Sequence, residues 1–270
     1  MKKRKFFLWL VPLLLLILCI PLYADEIGKD VKVTYLGHSA FKLVSPKGVV
    51  IYIDPFLSKN PKTPPDMKTV EKADLILVTH GHGDHVGDTL AIAEKTNAKV
   101  IAIAELGTWL KIKGAKNVIR MNKGGTYTSH GIGITMVHAF HSSSVTETEE
   151  ISTGKKRERI IYAGEPAGFV IRFENGFTVY HAGDTAVFGD MKIISDIYKP
   201  DLSLLPIGDH YTMGSREATY AAKLLGSKYV IPMHYGTFSA LTGTPEEFSK
   251  LMKEVPETKV LVLKPGETVQ

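Results

Sequence analysis

The chain has 270 residues, which is enough to bury a sizeable core as one large domain or as two tightly joined halves. Its formal net charge is +5, but four of the 33 Lys and Arg residues and none of the 28 Asp and Glu residues lie in residues 1–24. The remainder therefore carries 29 basic and 28 acidic residues, a net charge of +1. That balance gives no indication of a nucleic-acid partner.

Residues 1–24 have the pattern of an export signal. Four basic residues precede an apolar stretch at 6–23, and the small Ala24 stands before a polar start. The alternative is an uncleaved anchor that attaches the chain to the membrane through residues 6–23, although this run is short of the ~20 residues that a spanning helix needs. In both cases we expect residues 25–270 to form one catalytic domain outside the cytoplasm, in the periplasm or beyond. The only cysteine, Cys19, lies in this segment, so the domain has no disulfide and no thiolate ligand.

The first half of the domain is predicted to open as an antiparallel meander and to continue with alternating strands and helices. A loop with three prolines at 60–66 is expected to contain no helix. Runs of apolar and β-branched residues predict strands at 31–36, 40–44, 49–53, 75–79 and 100–104. Helices are predicted at 88–95 and 105–113.

Residues 79–85 read Thr-His-Gly-His-Gly-Asp-His and follow the apolar end of a predicted strand. Along an extended segment, His80, His82 and Asp84 point the same way, while His85 turns aside. Imidazole and carboxylate are good ligands for zinc, manganese or iron. Four such side chains in six positions predict a metal site, and the alternative is a histidine-rich surface loop.

The second half of the domain is predicted to add a further batch of strands. These strands are 117–121, 126–129, 132–138, 168–173, 178–181, 202–205, 229–232 and 259–263, with helices at 190–198, 215–225 and 245–254. The polar, charged stretch 142–165 is expected to form a mobile loop or lid. Because the strands come in two batches with helices around them, we expect an α/β fold of two sheets packed face to face and covered by helices on both outer sides.

Three further metal-competent residues follow predicted strands. His141, Asp184 and His234 each come after an apolar segment and lead into Gly, Ser, Thr or Tyr. This is the pattern of a site assembled from loops on one edge of a scaffold. Together with the cluster at 80–85 they make seven candidate ligands, the number wanted by two metals that share a carboxylate.

At this point the chain resembles the metallo-β-lactamase superfamily, through the signature His80-x-His82-x-Asp84-His85 and over most of residues 31–263. The resemblance implies a four-layer αβ/βα sandwich with the site at one edge of the sheets. It also implies a set of metal ligands. The ligands of the first metal would be His80, His82 and His141, and those of the second would be Asp84, His85 and His234. Asp184 would be the carboxylate that bridges the two metals. The segments 35–41, 53–56, 141–144, 166–169 and 233–238 are similar to metal-dependent hydrolases related to the ascorbate-phosphate lactonases.

The resemblance implies a hydrolase that acts on a small-molecule substrate. Two divalent ions, zinc first and manganese or iron as alternatives, would hold a hydroxide that attacks a lactone, ester or phosphodiester. The alternatives are a di-iron redox enzyme of the same fold and a non-catalytic metal-binding protein. The sequence leaves the substrate and the oligomeric state open.

Other residues are assigned roles around the predicted centre. Asp84 could carry a proton to the leaving group besides binding metal. His38 is a candidate to hydrogen-bond a substrate or water, with a buried structural histidine as the alternative. His210 could face the pocket as an acid or a substrate contact. Asp54 is expected to orient a ligand histidine. The remaining histidines of the domain, His130, His138 and His181, are expected to be structural.

Overall fold

The structure, a computed structural model, describes residues 27–28, 30–151 and 154–270. The predicted signal or anchor at 1–24 lies outside the described residues, so its export and cleavage stay predictions. In the part of the chain that the structure describes, no helix combines the length and the apolar character that crossing a membrane requires.

The described residues form 16 strands and six α-helices. The strands are β1 (Lys32–Gly37), β2 (Ala40–Val44), β3 (Val50–Ile53), β4 (Leu75–Leu77), β5 (Lys99–Ile103), β6 (Val118–Met121), β7 (Thr126–Ser129), β8 (Ile132–His138), β9 (Ser144–Glu150), β10 (Lys156–Tyr162), β11 (Ala167–Arg172), β12 (Thr178–His181), β13 (Leu202–Pro206), β14 (Tyr229–Met233), β15 (Lys259–Val260) and β16 (Thr268–Val269). The helices are α1 (Gly83–Val86), α2 (Thr89–Thr96), α3 (Ala104–Ile112), α4 (Met191–Tyr198), α5 (Ser215–Leu225) and α6 (Pro245–Leu251).

Fourteen of these strands form two seven-stranded sheets. The first has the order β16-β1-β2-β3-β4-β5-β6, and the second has the order β15-β14-β13-β12-β11-β8-β7. In the first sheet the pairs among β1, β2 and β3 are antiparallel, as is β16 with β1, and the pairs from β3 to β6 are parallel. In the second sheet the pairs β7–β8, β8–β11 and β11–β12 are antiparallel, and the pairs from β12 to β15 are parallel. Parallel pairs need crossover connections, which is where the helices lie: α1, α2 and α3 in the first half and α4, α5 and α6 in the second.

The sheets are buried on both faces, as β11 illustrates. Phe169 and Ile171 pack in the main core with side chains of the first sheet, whereas Val170, pointing to the other face, packs with Ile194 of α4 and Ala218 of α5. Fully burying a side chain of this size contributes about 1.5–3 kcal/mol. Both faces of the strands are therefore apolar, and the layers are helix, sheet, sheet and helix. The predicted α/β sandwich is confirmed.

The strands that precede the candidate ligands end at a common edge. In the second sheet, β12, β13 and β14 run parallel, and β8 runs in the same direction because β11 lies antiparallel to both β8 and β12. In the first sheet, β1, β3 and β4 likewise run in one direction. The loops after these strands are thus brought together from distant parts of the chain, as expected at the carboxyl ends of strands in α/β folds.

The stretch 142–165, expected to form a mobile loop or lid, has regular structure over most of its length, because β9 and β10 form an antiparallel hairpin outside the two large sheets. Its mobility and its role as a lid stay predictions. Val145 pairs with Ile161 near the base, and Glu149 pairs with Arg157, with 3.1 Å between its Oε1 and the arginine Nε. Ladder hydrogen bonds satisfy the backbone of this polar segment even though few of its side chains are buried. At the base, Gly81 N–H donates to Ser143 Oγ (3.1 Å), which ties the hairpin to the histidine motif.

Three smaller expectations also need correction. The histidine motif is not an extended continuation of β4, because the strand ends at Leu77, residues 80–82 form a bend and the one-turn helix α1 begins at Gly83. The proline-rich loop at 60–66 runs into a short 3-10 turn, Pro65–Met67, that begins at a proline. The C-terminal strand β16, which the sequence did not predict, adds to the edge of the first sheet beside β1. Short segments of this kind carry too little periodicity to be recognised alone.

Candidate metal centre

His80, His82 and His141 form the first of two neighbouring groups of ligand atoms. One ligand atom from each lies within 4.8 Å of the others, and His80 Nε2 is 2.9 Å from His82 Nδ1. His80 is fully buried, and the other two side chains are half-buried. Burial lowers the pKa of all three imidazoles, that of His80 well below its usual value. They are therefore neutral at pH 7, which is the form that binds metal.

His38, Asp84, His85 and His234 form the second group, again within 4.8 Å of one another. Helix α1 separates Asp84 from His80 and His82, so the three side chains do not share one direction as an extended segment would place them. Burial alone would raise the pKa of Asp84, but the hydrogen bond from His38 and the charge of His85 lower it below its usual range. Asp84 is therefore ionised at neutral pH.

The carboxylate of Asp184 lies between the two groups. It is 3% exposed, and its Oδ2 lies 3.0 Å from His234 Nε2, 3.2 Å from His85 Nε2 and 3.7 Å from His141 Nε2. Burial alone would raise the pKa of Asp184, but its histidine neighbours lower it well below the usual value. The structure thus brings all seven predicted ligands together, with the carboxylate where the resemblance puts a bridge. Their roles as ligands stay predictions.

Asp54 holds the His85 ring through the nitrogen that faces away from Asp184. Its Oδ2 accepts from His85 Nδ1–H (2.8 Å) and from the hydroxyl of Thr79 (2.7 Å), and its Oδ1 accepts from Thr79 N–H (2.8 Å). This bond leaves His85 Nε2 directed toward Asp184. Burial alone would lower the pKa of His85, but Asp184 and Asp54 together raise it well above the usual value. Because Nδ1–H is held by Asp54, Nε2 is the atom of His85 that is left to lose its proton and bind a metal ion.

Of the two roles open to His38, that of a buried histidine agrees with its surroundings, and a contact with substrate or water stays a prediction. The side chain is fully buried, with Nε2 3.0 Å from Asp84 Oδ2 and Nδ1 3.1 Å from Thr237 Oγ1. Burial lowers its pKa to about 4 despite the hydrogen bond to Asp84, so the ring is neutral at pH 7. A neutral ring satisfies both contacts if Nε2–H donates to Asp84 and Nδ1 accepts from the Thr237 hydroxyl. His38 therefore positions Asp84 and does not reach into the cavity.

Several site residues lie in strained backbone at strand ends. His38, Asp54 and His234 have φ values of 58°, 46° and 56°, in the left-handed region that few residues other than glycine adopt. Each such residue costs of order 1–3 kcal/mol, and such conformations concentrate at functional sites. Here each one lies immediately after β1, β3 or β14, where the chain must turn sharply to place a side chain in the centre.

The remaining histidines lie outside the centre. His181 accepts from Gly183 N–H at Nδ1 (3.1 Å) and donates to Ser39 O from Nε2 (3.0 Å), so it supports the turn before Asp184. His138 contacts Lys123 (3.0 Å), and His130 contacts its neighbour Ser129. His210 is exposed, and its ring packs edge-on against Tyr211 at 4.4 Å. Its proposed role in acid catalysis or substrate contact stays a prediction.

A cavity of about 520 Å³ opens beside the centre. Five of the candidate ligands line it together with Ser142, Tyr211, Phe238, Ser239 and Ala240. Tyr211, Phe238 and Thr237 were not predicted from the sequence as site residues. They lie in the loops that contain His210 and His234. A second cavity, of about 570 Å³, is lined by α5, α6 and the turn after α6, and none of the seven candidate ligands lines it.

The residues of the centre fit bound metal. Among the described residues, the buried Asp184 Oδ1 and His85 Nε2 have no hydrogen-bond partner, since the 3.2 Å contact of His85 with Asp184 lacks the alignment of a hydrogen bond. An unpaired buried polar atom is costly, and a cation would satisfy both atoms. Five imidazoles and two carboxylates are the ligand chemistry of zinc, manganese or iron.

An α/β sandwich with such a His/Asp centre at the shared edge of two sheets defines the metallo-β-lactamase class of proteins. The family described as "Beta-lactamase superfamily domain" matches residues 50–235. A UPF0173 metal-dependent hydrolase of Rubrobacter xylanophilus is 52% identical over 244 residues, and one of Koribacter versatilis is 50% identical over 240 residues. These matches cover 90% and 89% of this chain and 98% of each relative.

Among solved structures, Igni18, a metallo hydrolase of Ignicoccus hospitalis, is 39% identical with a TM-score of 0.75, covering 88% of this chain and 97% of that one. The chain belongs to the beta-lactamase superfamily and, within it, to the UPF0173 family of metal-dependent hydrolases. The finer resemblance to the ascorbate-phosphate lactonases stays a prediction.

Replacing Asp54 by Asn tests how the centre is held. The carboxylate accepts three hydrogen bonds on its two oxygens, whereas an amide has one acceptor oxygen and an NH2 group that would face at least one of these donors, so it cannot accept all three. We expect metal affinity to fall about 10–100-fold, measured by competition with a chelator. The matched control is Asp74→Asn, because Asp74 accepts from Val50 N–H (2.7 Å) at the start of β3, away from the centre. Equal metal affinity in the folded Asp54→Asn variant and the wild type would show that Asp54 does not orient a ligand.

Proposed function

We propose that the chain hydrolyses an ester-like bond of a small molecule, either a lactone, a carboxylic ester or a phosphodiester, with two divalent metal ions, zinc first. The observation that carries this proposal is the placement of two ligand groups on either side of the buried Asp184 carboxylate. His80, His82 and His141 would hold one ion, Asp84, His85 and His234 the other, and Asp184 would contact both. When bound, such ions act as Lewis acids that lower the pKa of water and polarise a substrate oxygen.

Asp84 is the residue of the chain best placed to move a proton. It lines the cavity, and its lowered pKa keeps it ionised at neutral pH, so it first accepts a proton from the attacking water. The protonated carboxyl can then pass that proton to the leaving group. His38 holds Asp84 Oδ2 by a 3.0 Å hydrogen bond, and Thr237 holds His38 in turn, which keeps the carboxylate oriented through both steps.

The proposal predicts that metal and activity are lost together. His80→Ala removes a buried ligand and Asp184→Ala removes the shared carboxylate, so each is expected to lower hydrolysis at least about 100-fold. The measurements are metal analysis of the purified protein and rates on a panel of lactone, ester, β-lactam and phosphodiester substrates. Chelation of the wild type is expected to give the same loss, reversed by added metal. His130→Ala, at an exposed histidine outside the centre, is the control, and full activity in a metal-free preparation contradicts the proposal.

We also propose that the enzyme acts outside the cytoplasm, because the basic and apolar pattern of residues 1–24 is that of an export signal. Cell fractionation is expected to find the full chain outside the cytoplasm and a version beginning at residue 25 inside it. N-terminal sequencing of the exported protein distinguishes cleavage after Ala24 from retention as an anchor. Equal cytoplasmic recovery of both versions contradicts export.

A further inference from the structure

Two aromatic side chains line the cavity without belonging to the candidate ligand set. Tyr211 is 57% exposed and Phe238 is 41% exposed, and both face the same cavity as the ligands. Single exposed apolar side chains, such as Ile112 and Ile160, also occur on other surfaces and need no explanation there. Two at the mouth of a cavity beside polar, reactive groups are instead the usual composition of a small-molecule site.

The ring of Phe238 packs against buried aromatic side chains on the side away from the cavity. It packs edge-on against His38, with 5.3 Å between ring centroids, and lies 6.5 Å from the ring of Phe56. His38 in turn holds Asp84, so Phe238 is in contact with the residue that orients a candidate ligand. Its position relative to the centre is therefore set by buried neighbours, while its outer face remains open to the cavity.

The loops that carry the two aromatic rings are hydrogen-bonded to each other. Gly243 N–H donates to Gly208 O (3.2 Å), and the hydroxyl of Thr242 donates to Asp209 Oδ2 (3.3 Å). These contacts join the loop after β13 to the loop after β14. The two rings are therefore arranged before a ligand arrives, which reduces the entropy lost on binding.

The wall of the cavity outside the ligands carries no formal charge. Among the residues that the structure describes, the part of the wall outside the candidate ligands consists of Ser142, Tyr211, Phe238, Ser239 and Ala240. None of these is a Lys or an Arg. A phosphate or carboxylate on the far part of a substrate would thus lose water against aromatic rings without gaining a cation partner. Metal ions held by the histidines would bring positive charge to the reacting bond only.

We infer that the substrate is a carboxylic ester or lactone whose non-reacting part is uncharged and apolar, and that Phe238 and Tyr211 hold that part. This inference rests on the hydrolase function proposed above and narrows its substrate class. It disfavours a phosphorylated lactone. Phe238 and Tyr211 are then the residues that determine specificity, and the two serines offer hydroxyls to neutral polar groups.

The first test compares two esters on the metal-loaded full chain. 4-Nitrophenyl butyrate and mono-4-nitrophenyl succinate share the leaving group and a four-carbon acyl chain, and they differ in the terminal carboxylate. The expected result is a kcat/KM at least about tenfold higher for the butyrate ester. An equal or higher value for the succinate ester overturns the inference.

Two variants of the wall test which residues cause this preference. Phe238→Ala is expected to raise KM for the butyrate ester about tenfold with a smaller change in kcat, because it removes binding surface and no reacting group. Phe238→Leu is expected to restore part of the loss, and Tyr220→Ala, at an exposed tyrosine of α5, is the control. An unchanged KM in Phe238→Ala overturns its assignment.

Ser239→Lys is expected to shift the ratio of the two kcat/KM values about tenfold toward the succinate ester, because it places a cation in the uncharged wall. Ser239 is exposed, so a lysine fits there without displacing the core. Thr148→Lys, at an exposed position of β9, makes the same change of charge on the hairpin and serves as the control. A shift of equal size in both lysine variants overturns the inference, because it would show an effect of net charge alone.

A binding measurement separates this inference from the hydrolase proposal. Calorimetry on the metal-loaded full chain compares benzohydroxamate with 4-carboxybenzohydroxamate, which share a metal-chelating group, contain no ester bond and differ in the carboxylate. A Kd at least about tenfold lower for the neutral probe supports the uncharged wall even if no ester in the panel is hydrolysed, and in that case only the hydrolase proposal fails. Equal or tighter binding of the carboxylated probe overturns the inference whatever the rates are.

Discussion

The centre depends on one constraint, the burial of the Asp184 carboxylate. An ionised carboxylate that is 3% exposed costs several kcal/mol unless cations or hydrogen-bond donors surround it. Its nearest neighbours here are His85, His141 and His234, delivered by three separate loops. Because each of them must be aimed at the same carboxylate, the backbone and the supporting hydrogen bonds around the edge of the sheets are arranged accordingly.

The residues that hold the candidate ligands in place lie at the ends of strands, between the sheets and the centre. Asp54, at the end of β3, accepts from His85 and from Thr79, so the first sheet sets the ring that faces Asp184. His38, at the end of β1, holds Asp84 in the same way. The second sheet contributes Asp184 and His234 after its own strands. Neither half of the fold completes the centre alone, and this is why the packing of the two sheets and the geometry of the site cannot be separated.

Much of the fold and of the candidate metal centre could be predicted from the sequence, because the patterns that indicate strands and ligands lie within short segments of the chain. The apolar runs before His80, His141, Asp184 and His234 predicted strand ends, and the layered fold is confirmed by the structure. The hairpin β9–β10 was missed because its Glu, Thr, Lys and Arg residues are polar, and only cross-strand pairing makes them a sheet. The burial of His38 and the aromatic wall at Phe238 and Tyr211 depend on contacts between loops far apart in the chain, which no local pattern encodes.

The most direct test of the central claim is anomalous X-ray diffraction from a crystal of the metal-loaded protein, collected at the absorption edge of the bound metal. Two anomalous peaks are expected to flank the Asp184 carboxylate, one against His80, His82 and His141 and the other against Asp84, His85 and His234. A single peak, or peaks that do not contact Asp184, would contradict the account of a carboxylate shared between two ions.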